Sequence, residues 1–120
     1  MRDINRALEL WGAWAASDDS GVDYSHIAAG FKGLLPQSKG REQCCDDDGM
    51  LIDSCVARLK EYSTYEHNLI VLHYIYRVST RKLARKNKCC DATIRMQLKS
   101  ATGFINGQIC WLVDKLESDI

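Results

Sequence analysis

The residues best placed to do chemistry lie in one run. Between Arg77 and Ser100 stand eight basic side chains, Arg77, Arg81, Lys82, Arg85, Lys86, Lys88, Arg95 and Lys99, against one acid, Asp91, a net charge of +7. Guanidinium and ammonium groups at this density attract a polyanion and hold it in a salt-dependent way. The chain as a whole is neutral. Residues 1–76 carry 7 basic against 12 acidic groups and the last twenty carry 1 against 3, so charge is segregated along the chain. Solvated helix faces usually mix signs. An unmixed cluster reads instead as a surface for a polyanion.

Other reactive residue types are present without the arrangement that catalysis or metal binding needs. The six cysteines are Cys44, Cys45, Cys55, Cys89, Cys90 and Cys110. Two pairs are adjacent, no Cys-x-x-Cys spacing occurs, and His26, His67 and His73 show no ligand spacing. The N-terminal stretch MRDINRALELWGAWAAS contains acids and lacks the continuous apolar core of a secretion signal. The expectation is therefore a cytoplasmic chain with reduced thiols acting as small apolar fillers, and with no metal and no cofactor. Asp46-Asp47-Asp48 suits a helix N-terminus, where carboxylates meet the positive end of the macrodipole. A calcium loop would space its acids rather than stack them; a partner-binding acidic loop is the other functional reading. No nucleophile-base-orienter set and no phosphate loop is present, so an enzyme is not expected. A magnesium nuclease would need carboxylates that converge on the ion. No apolar run is long enough to span a membrane.

The elements that must position the basic run are helical. At 120 residues with 46% apolar content, the chain reads as one domain, 1–120, with one core. Asp3 can cap a helix of Ile4 to Ala16, whose apolar stripe is Ile4, Leu8, Trp11 and Ala15. A short helix is expected over about Tyr24 to Leu35, stopped by Pro36, and 37–43 reads as a polar loop. After the acidic triplet, Leu51, Ile52, Cys55, Val56, Leu59 and Tyr62 repeat at helical spacing. Ser63-x-x-Glu66 is a capping box opening a helix of about Thr64 to Tyr76. Ser79 can cap Thr80 to Lys86, Asn87-Lys88 makes a turn with Asn87 tolerating the left-handed conformation, and Cys90-Asp91 starts a last helix reaching about Leu116. Nothing alternates as a strand. The expected fold is all-α, a single compact helical domain of about six helices. His73 and the three tryptophans, Trp11, Trp14 and Trp111, read as core or interface residues. Gly103 and Gly107, four apart on the last helix, suggest close backbone approach: against the first helix on the plain reading, or in self-association on the sharper one.

Two short helices joined by a three- to four-residue turn have helix-turn-helix geometry. Leu83 and Ala84 line the inner face of the first; Ile94 and Leu98 line that of the second. The second helix then enters a major groove while the first crosses the backbone. On this reading Asp91, Ala92, Thr93, Arg95 and Met96 reach base edges, with Arg95 suited to bidentate contact with guanine. Arg81, Lys82, Arg85, Lys86, Lys88 and Lys99 contact phosphates, which position the protein without specifying sequence.

The unit at about 79–101 resembles the promoter-binding helix-turn-helix of sigma factors in Ser79, Leu83-Ala84, Thr93-Ile94, Leu98 and Ala101. It departs where that pattern has a turn glycine, here Lys88, and a serine cap, here Cys90, which leaves the cap to Asp91. Across nearly the whole chain, the stretches LELWGAWAA, GVDYSHIAAGFKGLLP, CCDDDGMLIDSCVARLK, LIVLHYIYRVSTRKLARK and Ile94-Arg95 to Gly107 are similar to the late antitermination protein Q family of lambdoid phages, phage 21 type. That resemblance implies a bacteriophage transcription regulator in the host bacterial cell. It would bind DNA near a late promoter, load onto RNA polymerase with the sigma factor nearby, and let it read through pauses and terminators. It further implies that Phe31 to Asp48, with the loop around Lys39 and Arg41, and the N-terminal helix face polymerase. The competing reading is a conventional repressor or sigma-like activator that stays at its DNA site.

Overall fold

Asp3 starts the first helix. Its carboxylate accepts from the amides of Asn5 at 3.0 Å and Arg6 at 3.4 Å, and α1 runs Ile4–Ala16. The fold comes from a computed structural model that describes residues 3–31, 35–36 and 40–118, with side chains to Val113. A 3-10 turn at Asp18–Ser20 and the short α2, Ser25–Ala28, follow. Then come α3 (Asp46–Tyr62), α4 (Thr64–Ile70) continuing into a π turn at Val71–Ile75, α5 (Thr80–Lys86) and α6 (Asp91–Ser118). Six α-helices and no strand are present among the described residues.

The apolar stripes meet in one core. Leu8, Trp11 and Trp14 of α1 pack with Ile52, Cys55, Val56 and Leu59 of α3, with Leu69, Ile70, Val71, Leu72, Tyr74 and Ile75, and with Leu83, Ile94, Leu98, Ala101 and Ile105. Burying a side chain of this size stabilises by about 1.5–3 kcal/mol. Three ring groups of the core are paired: the Trp11 indole and the Tyr24 hydroxyl both donate to Asp53, at 3.3 and 2.6 Å, and the Trp14 indole donates to Asp46 at 2.9 Å. The acidic triplet occupies the first turn of α3. Burial pushes the thiol of Cys44 up to about 11 and raises that of Cys55, which is fully buried.

Three departures from the expected elements have physical reasons. The second helix ends at Ala28, before Ala29-Gly30, rather than near Leu35; 32–34 lies outside the described residues. The helix expected over Thr64 to Tyr76 starts at Thr64 with half of the capping box: Ser63 accepts from the Glu66 amide at 3.3 Å, whereas the Ser63 amide bonds to the Leu59 carbonyl at 2.7 Å rather than to Glu66, and the helix widens after Ile70. The carbonyls freed there go elsewhere. The Arg41 guanidinium donates to Tyr74 at 2.8 Å, to Ile75 at 3.4 Å and to Glu9 at 3.1 Å, and the Val78 amide reaches back to Leu72 at 3.0 Å. Arg77 closes this end in the left-handed region, φ +57°. Third, Gly103 and Gly107 are exposed, and a Cβ on either would meet open space. The close approach to α1 falls instead at Gly12, where a Cβ would stand 2.1 Å from the Tyr74 carbonyl oxygen.

Candidate nucleic-acid interface

The basic run folds as α5 and α6. Ser79 accepts from the Lys82 amide at 3.1 Å, which satisfies an orphan donor at the start of α5. The end of α5 is a Schellman closure: the Cys89 amide bonds to the Ala84 carbonyl at 3.0 Å and the Lys88 amide to that of Arg85 at 3.3 Å. The left-handed residue this closure requires is Lys88, φ +56°, and not Asn87. The side-chain amide of Asn87 turns back instead and donates to the Leu83 carbonyl at 2.9 Å.

Cys90 holds the cap of α6. Its carbonyl accepts from the amides of Thr93 at 3.1 Å and Ile94 at 3.4 Å, and its sulfur meets the Thr93 hydroxyl at 3.1 Å. Hydrogen bonding from Thr93 lowers the thiol pKa below the ordinary range. Asp91, expected as the cap, is occupied otherwise: it accepts from the Thr80 hydroxyl and pairs with Arg95, Nε to Oδ2 at 2.8 Å. The bond to Thr80 ties the starts of the two helices together. Leu83, Ala84, Ile94, Leu98 and Ala101 are all buried between and beneath them.

The outer surface sorts the predicted residues into groups. Ala92, Arg95 and Met96 are exposed on the first two turns of α6, while Asp91 and Thr93 are half-buried beside them. Arg81, Lys82, Arg85, Lys86, Lys88 and Lys99 are all exposed. Two of them lean on a neighbouring segment: Lys82 and Lys86 stand 5.8 and 5.5 Å from the centre of the Phe31 ring, and Lys86 donates to the Gly30 carbonyl at 3.0 Å. Among the described residues, Arg81, Arg85, Lys88 and Lys99 make no side-chain hydrogen bond or ion pair.

Some neighbours carry no sequence signal. Tyr65, at the start of α4, donates its hydroxyl to Gln97 at 2.7 Å and so flanks the second turn of α6. Gln97 is one turn past Thr93, a position the helical period marks; Tyr65 is 32 residues away and nothing local marks it. Arg41 is half-buried and donates to the carbonyls of Glu9, Tyr74 and Ile75; 37–39, with Lys39, lies outside the described residues. His73 is half-buried and its Nδ1 lies 2.9 Å from the Val78 carbonyl, whereas His67 is the buried imidazole. Trp11 and Trp14 are core residues; Trp111 is exposed beneath the Arg58 guanidinium. Among the described residues no three His, Cys, Asp or Glu side chains converge as a metal site requires, and no helix is long and apolar enough to cross a membrane.

The comparisons with known proteins agree with one another. The family model described as phage antitermination protein Q matches residues 1–117. A prophage antitermination protein Q homolog, QuuD, of Escherichia coli (strain K12) is 47% identical over 121 residues, covering 100% of this chain and 95% of that protein. Antitermination protein Q of Escherichia phage 933W is 47% identical over 120 residues, covering 99% of this chain and 83% of its own length. In three dimensions the chain is similar to the solved transcription antitermination factor Q21, with a TM-score of 0.72 at 21% identity over 96% of this chain and 92% of that one. A match of this extent, over a helical core ending in a cationic helix pair, places the chain in the phage antitermination protein Q family.

Proposed function

We propose that this chain is a transcription antitermination factor. As one domain, 1–120, it binds double-stranded DNA near a late promoter through the unit at 79–101. It loads onto RNA polymerase with its sigma factor nearby, inside the host bacterial cell, and promotes read-through of pauses and terminators. It is a regulator with no catalytic step. The observation that carries the reading is the match to the family over 1–117, which includes the cationic helix pair.

In that pair Arg81, Arg85, Lys88 and Lys99, free of internal partners among the described residues, supply phosphate contacts, and Lys82 and Lys86 add to the same field. Asp91, Ala92, Thr93, Arg95 and Met96 form the base-facing turns. The exposed Gly103 and Gly107 leave a face on which copies meet on DNA. The test is a purified transcription reaction with a terminator far downstream of a promoter, with and without the promoter-proximal DNA. Read-through that rises with added protein, and only on the template carrying that DNA, is the expected result. A protein that changes initiation and leaves the distant terminator untouched is a conventional repressor or activator.

A further inference from the structure

The first two turns of α6 present an apolar ridge between polar side chains that are already engaged. On one flank Arg95 is held by Asp91, which also accepts from Thr80. On the other, the Thr93 hydroxyl meets the sulfur of Cys90, and Gln97 accepts from Tyr65. The ridge between them is Ala92 and, one turn on, Met96, whose side chain is among the most exposed large apolar groups at 73%. Leaving a thioether in water on a helix that also exposes Arg95 and, three residues on, Lys99 forgoes the burial such a side chain ordinarily gains. The surrounding charge selects a polyanion as the partner that covers it. The apolar group that a duplex offers in its major groove is the C5-methyl of thymine.

We propose that Ala92 and Met96 read thymine methyl groups, so that direct readout by this helix is apolar as well as charged. This rests on the DNA-binding reading above. Three rotatable bonds and a polarisable sulfur let Met96 follow a methyl across neighbouring base steps. The flanking pairs hold the helix surface in shape while the ridge makes contact.

The probe is the duplex that the full chain enriches from a random-sequence pool. Each thymine in it is replaced in turn by deoxyuridine, which removes the methyl and nothing else. Affinity is measured at fixed salt for the natural chain, Met96→Ala and Met96→Leu, with thermal melts to confirm folding. For at least one thymine, the natural chain and Met96→Leu lose about fourfold on replacement, the worth of one buried methyl. Met96→Ala binds the thymine duplex that much more weakly and is indifferent to the replacement. The proposal is overturned if the natural chain tolerates deoxyuridine at every position, or if Met96→Ala keeps its full sensitivity. It is also overturned if Met96→Ala instead abolishes self-association in sedimentation without DNA while deoxyuridine has no effect, which would give the ridge to a second copy. A pool in which no sequence is enriched overturns this proposal together with the DNA-reading function; enrichment without thymine sensitivity overturns this proposal alone.

Discussion

Arg95 Nε lies 2.8 Å from a carboxylate oxygen of Asp91, one turn earlier on α6, and the same carboxylate accepts from Thr80 at the head of α5. The side chain best suited to guanine is thus held by the only acid in a run of eight bases. Asp91→Asn removes the charge and releases Arg95. The expected result is tighter binding to random-sequence duplex and a salt dependence steeper by about one counterion per phosphate gained. Arg95→Ala is expected to cost about 1–3 kcal/mol on a selected duplex beyond its cost on a random one. Filter binding over a salt series measures both. Equal losses on selected and random duplex for Arg95→Ala would remove its base-reading role.

Lys88 occupies a left-handed position that costs a side-chain-bearing residue about 1–2 kcal/mol. Lys88→Gly relieves that strain and adds back part of it as unfolded-chain entropy, about 0.5–1 kcal/mol. A modest net rise in stability is expected, together with weaker DNA binding and a shallower salt slope, because one phosphate cation is gone. Thermal melts and salt-dependent gel shifts on the same samples read the two effects. A fall in melting temperature would mean that the Lys88 side chain holds the turn by a contact of its own.

Local signals carried a large part of the fold. The bounds of α1 and α5 follow from a cap residue and an apolar stripe that lie within the helix itself, at Asp3 with Leu8 and Trp11, and at Ser79 with Leu83. What the sequence hides depends on residues far away. The π turn after Ile70 goes with carbonyls taken up by Arg41, which precedes Tyr74 by 33 residues. Gly12 and Gly103 look alike in a helical pattern, yet one faces a backbone carbonyl and the other open space. The same division holds at the interface. The density of cations is legible because it is a property of one segment. That Lys86 leans on Gly30, 56 residues earlier, and that Tyr65 ties Gln97, are facts of tertiary approach.

The glycine contrast gives a paired prediction. In Gly12→Ala the new methyl would stand 2.1 Å from the Tyr74 carbonyl oxygen, and since that neighbour is backbone, α1 must move off the π turn. A loss of about 3 kcal/mol or more is expected, at the upper end of overpacking costs. Gly103→Ala and Gly107→Ala add a methyl to an open helix surface and should each stabilise by about 0.5–1 kcal/mol. Urea unfolding of the three variants decides. A destabilised Gly103→Ala would show that its face is covered in solution.

His67 makes stability depend on pH. The imidazole is 2% exposed, lies against Tyr24 with ring centres 6.0 Å apart, and has Nδ1 3.0 Å from the Asn68 side-chain oxygen. Burial lowers its pKa below the ordinary 6.5; Lys60 and His26 push the same way, and Asn68 and Asp53 oppose. Well above pH 6.5 the ring is neutral in both folded and unfolded chains and contributes no slope. As pH falls below that value the unfolded chain takes up a proton that the folded chain refuses. Stability then drops by up to about 1.4 kcal/mol per pH unit until the folded pKa is reached, and is flat beyond it. Melting temperatures of the natural chain should therefore fall between pH 7 and 5. His67→Gln, less stable at neutral pH, should show a shallower decline over the same interval. Parallel profiles for the two proteins would place the acid sensitivity elsewhere, because a residue that cannot titrate in this range contributes no protons to the difference between folded and unfolded chains.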